Sequence, residues 1–199
     1  LGQTAGAEIE YAAALKILPD YFMALDHLAE SGAAQGKFGE AAKVFEQLAA
    51  RTRRPEYLQA AGDVLVAERK TDEARLLHDR ALAEYLKGTG TGQVHYFHHL
   101  ASFYADVRED GAEAEKWARR DLEVRQNIYA WDALAWALFW KKDYPAAVDA
   151  MQKALAAATK DAQLFATAGA ILVRAGKIKE AQALMTAARE GKPHYAESQ

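Results

Sequence analysis

The chain has 199 residues, of which 51% are hydrophobic and 27% charged, a balance that folds rather than stays disordered. Its net charge of −3 and pI of 6.1 give no electrostatic basis for holding nucleic acid. The absence of cysteine excludes disulfides, thiolate chemistry and cysteine-ligated zinc.

Alternating runs of Val, Ile and Thr are missing and there are only four prolines, so strands have little support and an all-α chain is expected. From the start, residues 1–19 read as one amphipathic helix carrying Ala7, Tyr11 and Ala14 and closed by Pro19. Residues 20–54 then read as a helix pair. Its first member carries Leu25, Leu28, Ala29 and Gly32, its second Ala41, Phe45 and Leu48. A second pair over 55–87 carries Leu58, Ala61, Gly62 and Leu65, then Ala74, His78 and Ala81. The stretch Gly88-Thr89-Gly90-Thr91-Gly92 follows. With no strand before it and no Gly-Lys-Ser/Thr after it, it lacks what a phosphate loop requires, and it reads as a linker or a bend.

A third pair over 93–126 has Phe97, Leu100, Ala101 and Tyr104 in its first helix. Its second helix, with Ala114, Ala118 and Asp121, fits loosely. The fourth pair, 127–160, is the clearest, with Trp131, Leu134, Ala135 and Leu138, then Ala147, Met151 and Ala154. A fifth, 161–193, has Phe165, Ala168, Gly169 and Leu172, then Ala181, Met185 and Ala188, and closes at Pro193 before a tail over 194–199. Asp110 with Glu113, Asn127 and Pro145 are helix-start signals, and Gly176 and Gly191 suit helix ends. The apolar stretch 128–140 is interrupted by Asp132 and stopped by Lys141-Lys142, short of the ~20 residues a membrane span needs. With no basic-then-apolar leader, a soluble protein of the cytoplasm or a bacterial periplasm is expected.

The pairs are periodic. A phrase of small turn, apolar residue and Glu-Ala recurs, and its closing alanines (41, 74, 114, 147, 181) step by 33, 40, 33 and 34 residues. Small residues such as Gly62, Ala135 and Gly169 allow close helix approach, with bulky neighbours filling the space beside them. Period and residue order together resemble the tetratricopeptide repeat family, in its bacterial form. The resemblance implies a right-handed α-solenoid whose first helices line a concave groove for a peptide or a partner helix. Residues 1–19 would be a second helix without its partner, which points to a segment of a longer solenoid or to ends that self-associate.

Four groove stripes can be read on the first helices: Met23, Asp26, His27 and Glu30; Glu56, Gln59 and Asp63; His95, His98, His99 and Ser102; and Tyr129, Asp132, Trp136 and Trp140. Partner binding is expected at Asp63, His95, His98, Ser102, Tyr129, Asp132, Trp136 and Trp140. Trp and Tyr are enriched at binding hot spots, although rings at these positions can also pack against neighbouring helices. His95 with His98 or His99 has zinc-binding spacing, with Asp132 one helix over, but ordinary groove polarity explains them as well and no metal or other cofactor is expected. Imidazoles beside carboxylates would make the groove pH-sensitive. The first four stripes carry no Lys or Arg, so a carboxylate-gripping clamp of the chaperone-binding kind is not expected. A partner with basic and apolar groups fits better. No catalytic or nucleotide motif stands out, and the chain reads as an interaction module, with a self-assembling scaffold, or an interaction segment of a larger protein whose activity lies elsewhere, as the alternatives.

Overall fold

The computed structural model describes residues 4–156 and 161–191, and among these every regular element is an α-helix. Helix α1 covers Thr4–Ile17. It is followed by α2 (Phe22–Ala34), α3 (Phe38–Thr52), α4 (Pro55–Ala67), α5 (Thr71–Gly90) and α6 (Tyr96–Asp106). Then come α7 (Gly111–Val124), α8 (Ile128–Trp140), α9 (Tyr144–Leu155), α10 (Ala162–Arg174) and α11 (Ile178–Gly191). The chain divides into two compact units, residues 3–87 and residues 88 onward. Among the described residues no helix is long and apolar enough to cross a membrane.

The turns explain the period. Gly36, Arg69, Glu109, Lys142 and Gly176 all have positive φ, at 82°, 64°, 52°, 66° and 78°. Each ends the first helix of a pair in the left-handed conformation, and these five residues are spaced as the closing alanines are. Two of the five are glycine, for which the geometry carries no Cβ penalty. At the other three an L side chain bears it. Lys142→Gly is therefore expected to stabilise the protein by about 1 kcal/mol, measured as a higher urea midpoint. An unchanged or lower midpoint would mean that the lysine side chain offsets the backbone cost.

Most of the helix faces bury as the spacing dictates, but Ala7 of α1 and Met185 of α11, expected on such faces, are exposed. In the first unit Phe45 and Leu48 of α3, Leu58, Ala61 and Leu65 of α4, and Ala74, His78 and Ala81 of α5 are buried. Gly62 is required here: a Cβ at this position would lie 2.3 Å from the His78 ring. In the second unit the buried set includes Phe97, Leu100 and Ala101 of α6, Ala114 and Ala118 of α7, and Leu134, Ala135 and Leu138 of α8. It continues with Ala147, Met151 and Ala154 of α9, Ala168 and Leu172 of α10, and Ala181 of α11. The side chain of Ala188, and Pro193 with the tail, lie outside the described residues.

Two further sequence readings differ from what is observed. Helix α5 continues through Gly90, so only Thr91 and Gly92 of the glycine stretch lie beyond it. The glycines have steric reasons instead: a Cβ on Gly88 would lie 2.4 Å from the Tyr96 ring, and Gly92 turns the chain at φ 85°. The loose fit at Asp121 is also resolved. Its side chain is fully buried in α7 and accepts from Arg125 Nε at 2.7 Å, one helical turn on.

Helix starts follow the expected chemistry. Asp110 accepts from the backbone N–H groups of Ala112 and Glu113, each at 3.1 Å, and Asn127 from that of Ala130 at 3.0 Å. Asp143 and Asp161 do the same for α9 and α10. Glu113 does not complete the reciprocal bond: the Asp110 N–H donates to the Tyr104 carbonyl at 2.8 Å, and the Glu113 carboxylate takes Lys116 at 2.9 Å.

Candidate functional site

The second unit holds an open cavity of about 510 Å³ between α6, α8 and α10. It forms because consecutive first helices lie side by side and present the positions not used against their own second helices. His98, Ser102 and Asp106 come from α6, Tyr129, Asp132, Ala133 and Trp136 from α8, and Gln163, Ala166, Thr167 and Ala170 from α10. Among the described residues lining it there is no Lys or Arg.

The cavity gathers five of the eight residues singled out in the sequence: His98, Ser102, Tyr129, Asp132 and Trp136. The other three lie elsewhere. Asp63 is on α4 in the first unit, where its carboxylate meets Nε2 of the buried His78 at 2.9 Å. His95 caps the start of α6, is exposed, packs on Tyr96 with ring centres 4.0 Å apart and gives its backbone carbonyl to Arg125. Trp140 ends α8 with its indole nitrogen buried and without a hydrogen-bond acceptor among the described residues. It packs edge-on against Trp136 and Phe139. Being a full helical turn beyond Trp136, at the helix end, it serves the packing of α8 rather than the cavity wall.

Trp136 is held on two sides. Its ring stacks on Phe139 with centres 4.7 Å apart and planes 6° from parallel, and its indole N–H donates to Asp106 Oδ1 at 2.6 Å. A charge-assisted bond of this length fixes both ring and carboxylate. Tyr129 is 57% exposed. Asp106, Gln163, Ala166, Thr167 and Ala170 were not singled out in the sequence. Asp106 is 30 residues from Trp136, so only the juxtaposition of α6 and α8 reveals the pair.

The electrostatics centre on Asp132. Its Oδ1 is buried and has no hydrogen-bond partner among the described residues. Burial pushes its carboxyl up to about 7; His98 opposes the shift, while the negative charges of Asp161 and Asp106 add to it. Behind the wall, His98 Nδ1 lies 3.7 Å from Asp121 Oδ2. Burial works to raise the Asp121 carboxyl, yet the His98 imidazole and the Arg125 guanidinium hold it below the usual carboxylate range. Arg125 is thus committed to Asp121 and does not face the cavity. Among the described residues no group of three or more His, Asp or Glu side chains is placed to hold a metal ion.

In the first unit the corresponding polar positions are engaged within the fold. Tyr57 Oη donates to Asp26 at 3.3 Å, and Tyr85 Oη to Gln59 at 3.0 Å. His27 pairs with Glu30 at 3.0 Å and stacks on Tyr11.

No family model matches the sequence, and no curated protein is similar to it. Solved structures are similar in fold. A tetratricopeptide repeat protein from Parabacteroides merdae is 17% identical with a TM-score of 0.55, covering 100% of this chain and 75% of that one. BtubC from P. vanneervenii is 16% identical with a TM-score of 0.54, covering 98% and 91%. The chain therefore has the all-α, helical-repeat fold of tetratricopeptide proteins.

Proposed function

We propose that this chain is a protein–protein interaction module, not an enzyme, and that it takes an extended peptide or a partner helix into the cavity between α6, α8 and α10. One observation carries the reading: aromatic rings and carboxylates from neighbouring helices converge on an open cavity whose described lining has no basic residue. Large aromatics beside a few fixed polar groups are the make-up of a binding hot spot. The absence of Lys and Arg favours a partner segment with basic and apolar groups.

The test is a displayed library of random peptides selected on the purified full chain. Selected peptides are expected to bind Trp136→Ala at least tenfold more weakly, about 1.4 kcal/mol or more, with helicity by circular dichroism unchanged. If those peptides bind the variant as well as the wild type, the cavity is not the site. Tyr144→Ala serves as a control, because it removes an aromatic neighbour of Phe139 at the start of α9 and does not touch the cavity lining.

A second reading is favoured by a different feature. Ile17 is 87% exposed and Leu18 55%, beside the partly exposed Tyr21, Phe22 and Met23, an apolar surface of the kind that marks contact sites. A self-assembling scaffold would use it. Light scattering at rising concentration separates the two, because a scaffold grows in mass while a peptide-binding monomer does not.

A further inference from the structure

We propose that the cavity between α6, α8 and α10 is a seat for one cationic side chain of the partner, an arginine or a lysine, with Asp132 as its counter-charge and Trp136 and Tyr129 as its walls. This rests on the reading of the cavity as the peptide site and names the group that the site recognises.

Three features support it. First, Asp132 carries a buried oxygen without a partner, although a buried polar atom is ordinarily hydrogen-bonded. A donor from the ligand would complete it, and a charged donor gives the stronger bond. Second, among the described residues that line the cavity there is no Arg or Lys to take that place, and Arg125, behind it, is bound to Asp121. Third, the aromatic wall is fixed. Trp136 is clamped by Phe139 and Asp106, and its ring borders the same cavity as Asp132. A cation lying on an indole face beside a carboxylate gains from both.

The surrounding charges agree in sign. From α6 the cavity meets His98 and Asp106, and from α8 Asp132. The α10 wall is uncharged apart from Asp161 at its start, whose carboxylate bonds the Gln163 and Leu164 amides. Behind His98 lies the Asp121–Arg125 pair of α7. A cation thus enters a field set by carboxylates.

Charging Asp132 in the empty cavity is unfavourable, so a bound cation must draw its proton off wherever the carboxyl is protonated. Binding is then coupled to deprotonation and weakens as pH falls below about 7. Protonation of His98 would act in the same direction and has to be separated from it.

The experiment uses the full chain and three small probes: N-acetyl-arginine methylamide, N-acetyl-lysine methylamide and the neutral isostere N-acetyl-citrulline methylamide. Each is titrated while the Trp136 indole N–H resonance is followed by NMR. The expected result is saturable binding of one or both cationic probes at pH 8 and at least tenfold weaker binding of citrulline. Asp132→Asn should abolish that preference. Affinity for the cation should drop at least tenfold between pH 8 and pH 5.5, a drop that persists in His98→Gln and disappears in Asp132→Asn. Equal binding of arginine, lysine and citrulline, or a preference that survives in Asp132→Asn, would overturn the seat. Its failure is separable from failure of the peptide site. Selected peptides that need Trp136 but show no preference for Lys or Arg leave the site standing without the seat. Cationic probes that bind when no peptide does leave the seat without the peptide.

Discussion

Gly111→Ala is expected to destabilise the protein by about 2–3 kcal/mol, although alanine is the better helix former at almost any other position of α7. Gly111 is the first residue of α7, where the chain end of α8 passes against it. A Cβ at this position would lie 2.2 Å from Lys141 N and 2.6 Å from both Lys141 Cα and Trp140 C. All three are backbone atoms, so no rotamer change relieves the overlap, and either α7 or the end of α8 must move. Gly169 provides the contrast. Its added Cβ would meet Met185 Cγ at 2.6 Å, but this is a flexible side chain that is 47% exposed and can swing away. Gly169→Ala is therefore expected to be near neutral, with the helix-propensity gain of roughly 1 kcal/mol offsetting the adjustment. Thermal unfolding of the two variants compares them directly. At about 2–4 °C per kcal/mol, Gly111→Ala should melt some 4–12 °C below the wild type and Gly169→Ala close to it. If both variants melt together, the close approach of α7 to α8 does not hold the second unit as described.

That glycine shows where the sequence stops being informative. The five left-handed turns are local, and a residue with little cost at positive φ or a small polar cluster marks each one, so the period could be read along the chain. The buried faces were equally legible, because helical spacing converts directly into one side of a cylinder. Gly111, by contrast, is shaped by Lys141, thirty residues later, and nothing near it announces the contact. The same holds for Asp106 and Trp136, whose bond exists only because α6 lies beside α8. Asp121 was legible as an acid in the second helix of its pair but not as an acid paired with Arg125, since periodicity carries no information about which polar groups pair. The stripe reading placed Trp140 beside Trp136, and their rings do meet, with centres 6.0 Å apart. The spacing does not show that the cavity lining reaches Trp136 and not Trp140, the last residue of α8. Finally, Gln163, Ala166, Thr167 and Ala170 form the α10 wall without any distinctive chemistry. Small residues mark a cavity only when what faces them is known.

Asp132 makes the strongest pH-dependent prediction. With its carboxyl pushed up to about 7 from an ordinary 3.8, the folded protein binds a proton that the unfolded chain releases between those two values. Stability from this group is therefore full below about pH 4, declines as pH rises through that window, and stays reduced above about 7. The full shift corresponds to roughly 4 kcal/mol against the charged form, and solvent at the mouth of the cavity screens part of it, leaving a net effect of about 1–2 kcal/mol. Asparagine keeps the shape and never ionises. Asp132→Asn is thus expected to melt about 2–8 °C above the wild type at pH 8.5, with the difference vanishing by pH 4.5. Comparing the pair at each pH, in the wild-type and His98→Gln backgrounds, isolates the carboxylate. A gain of equal size at both pH values would show that amide packing, not the buried charge, is responsible. A loss at pH 8.5 would mean that the ionised carboxylate is well satisfied in the free protein, and the case for a missing cation at that oxygen would go with it.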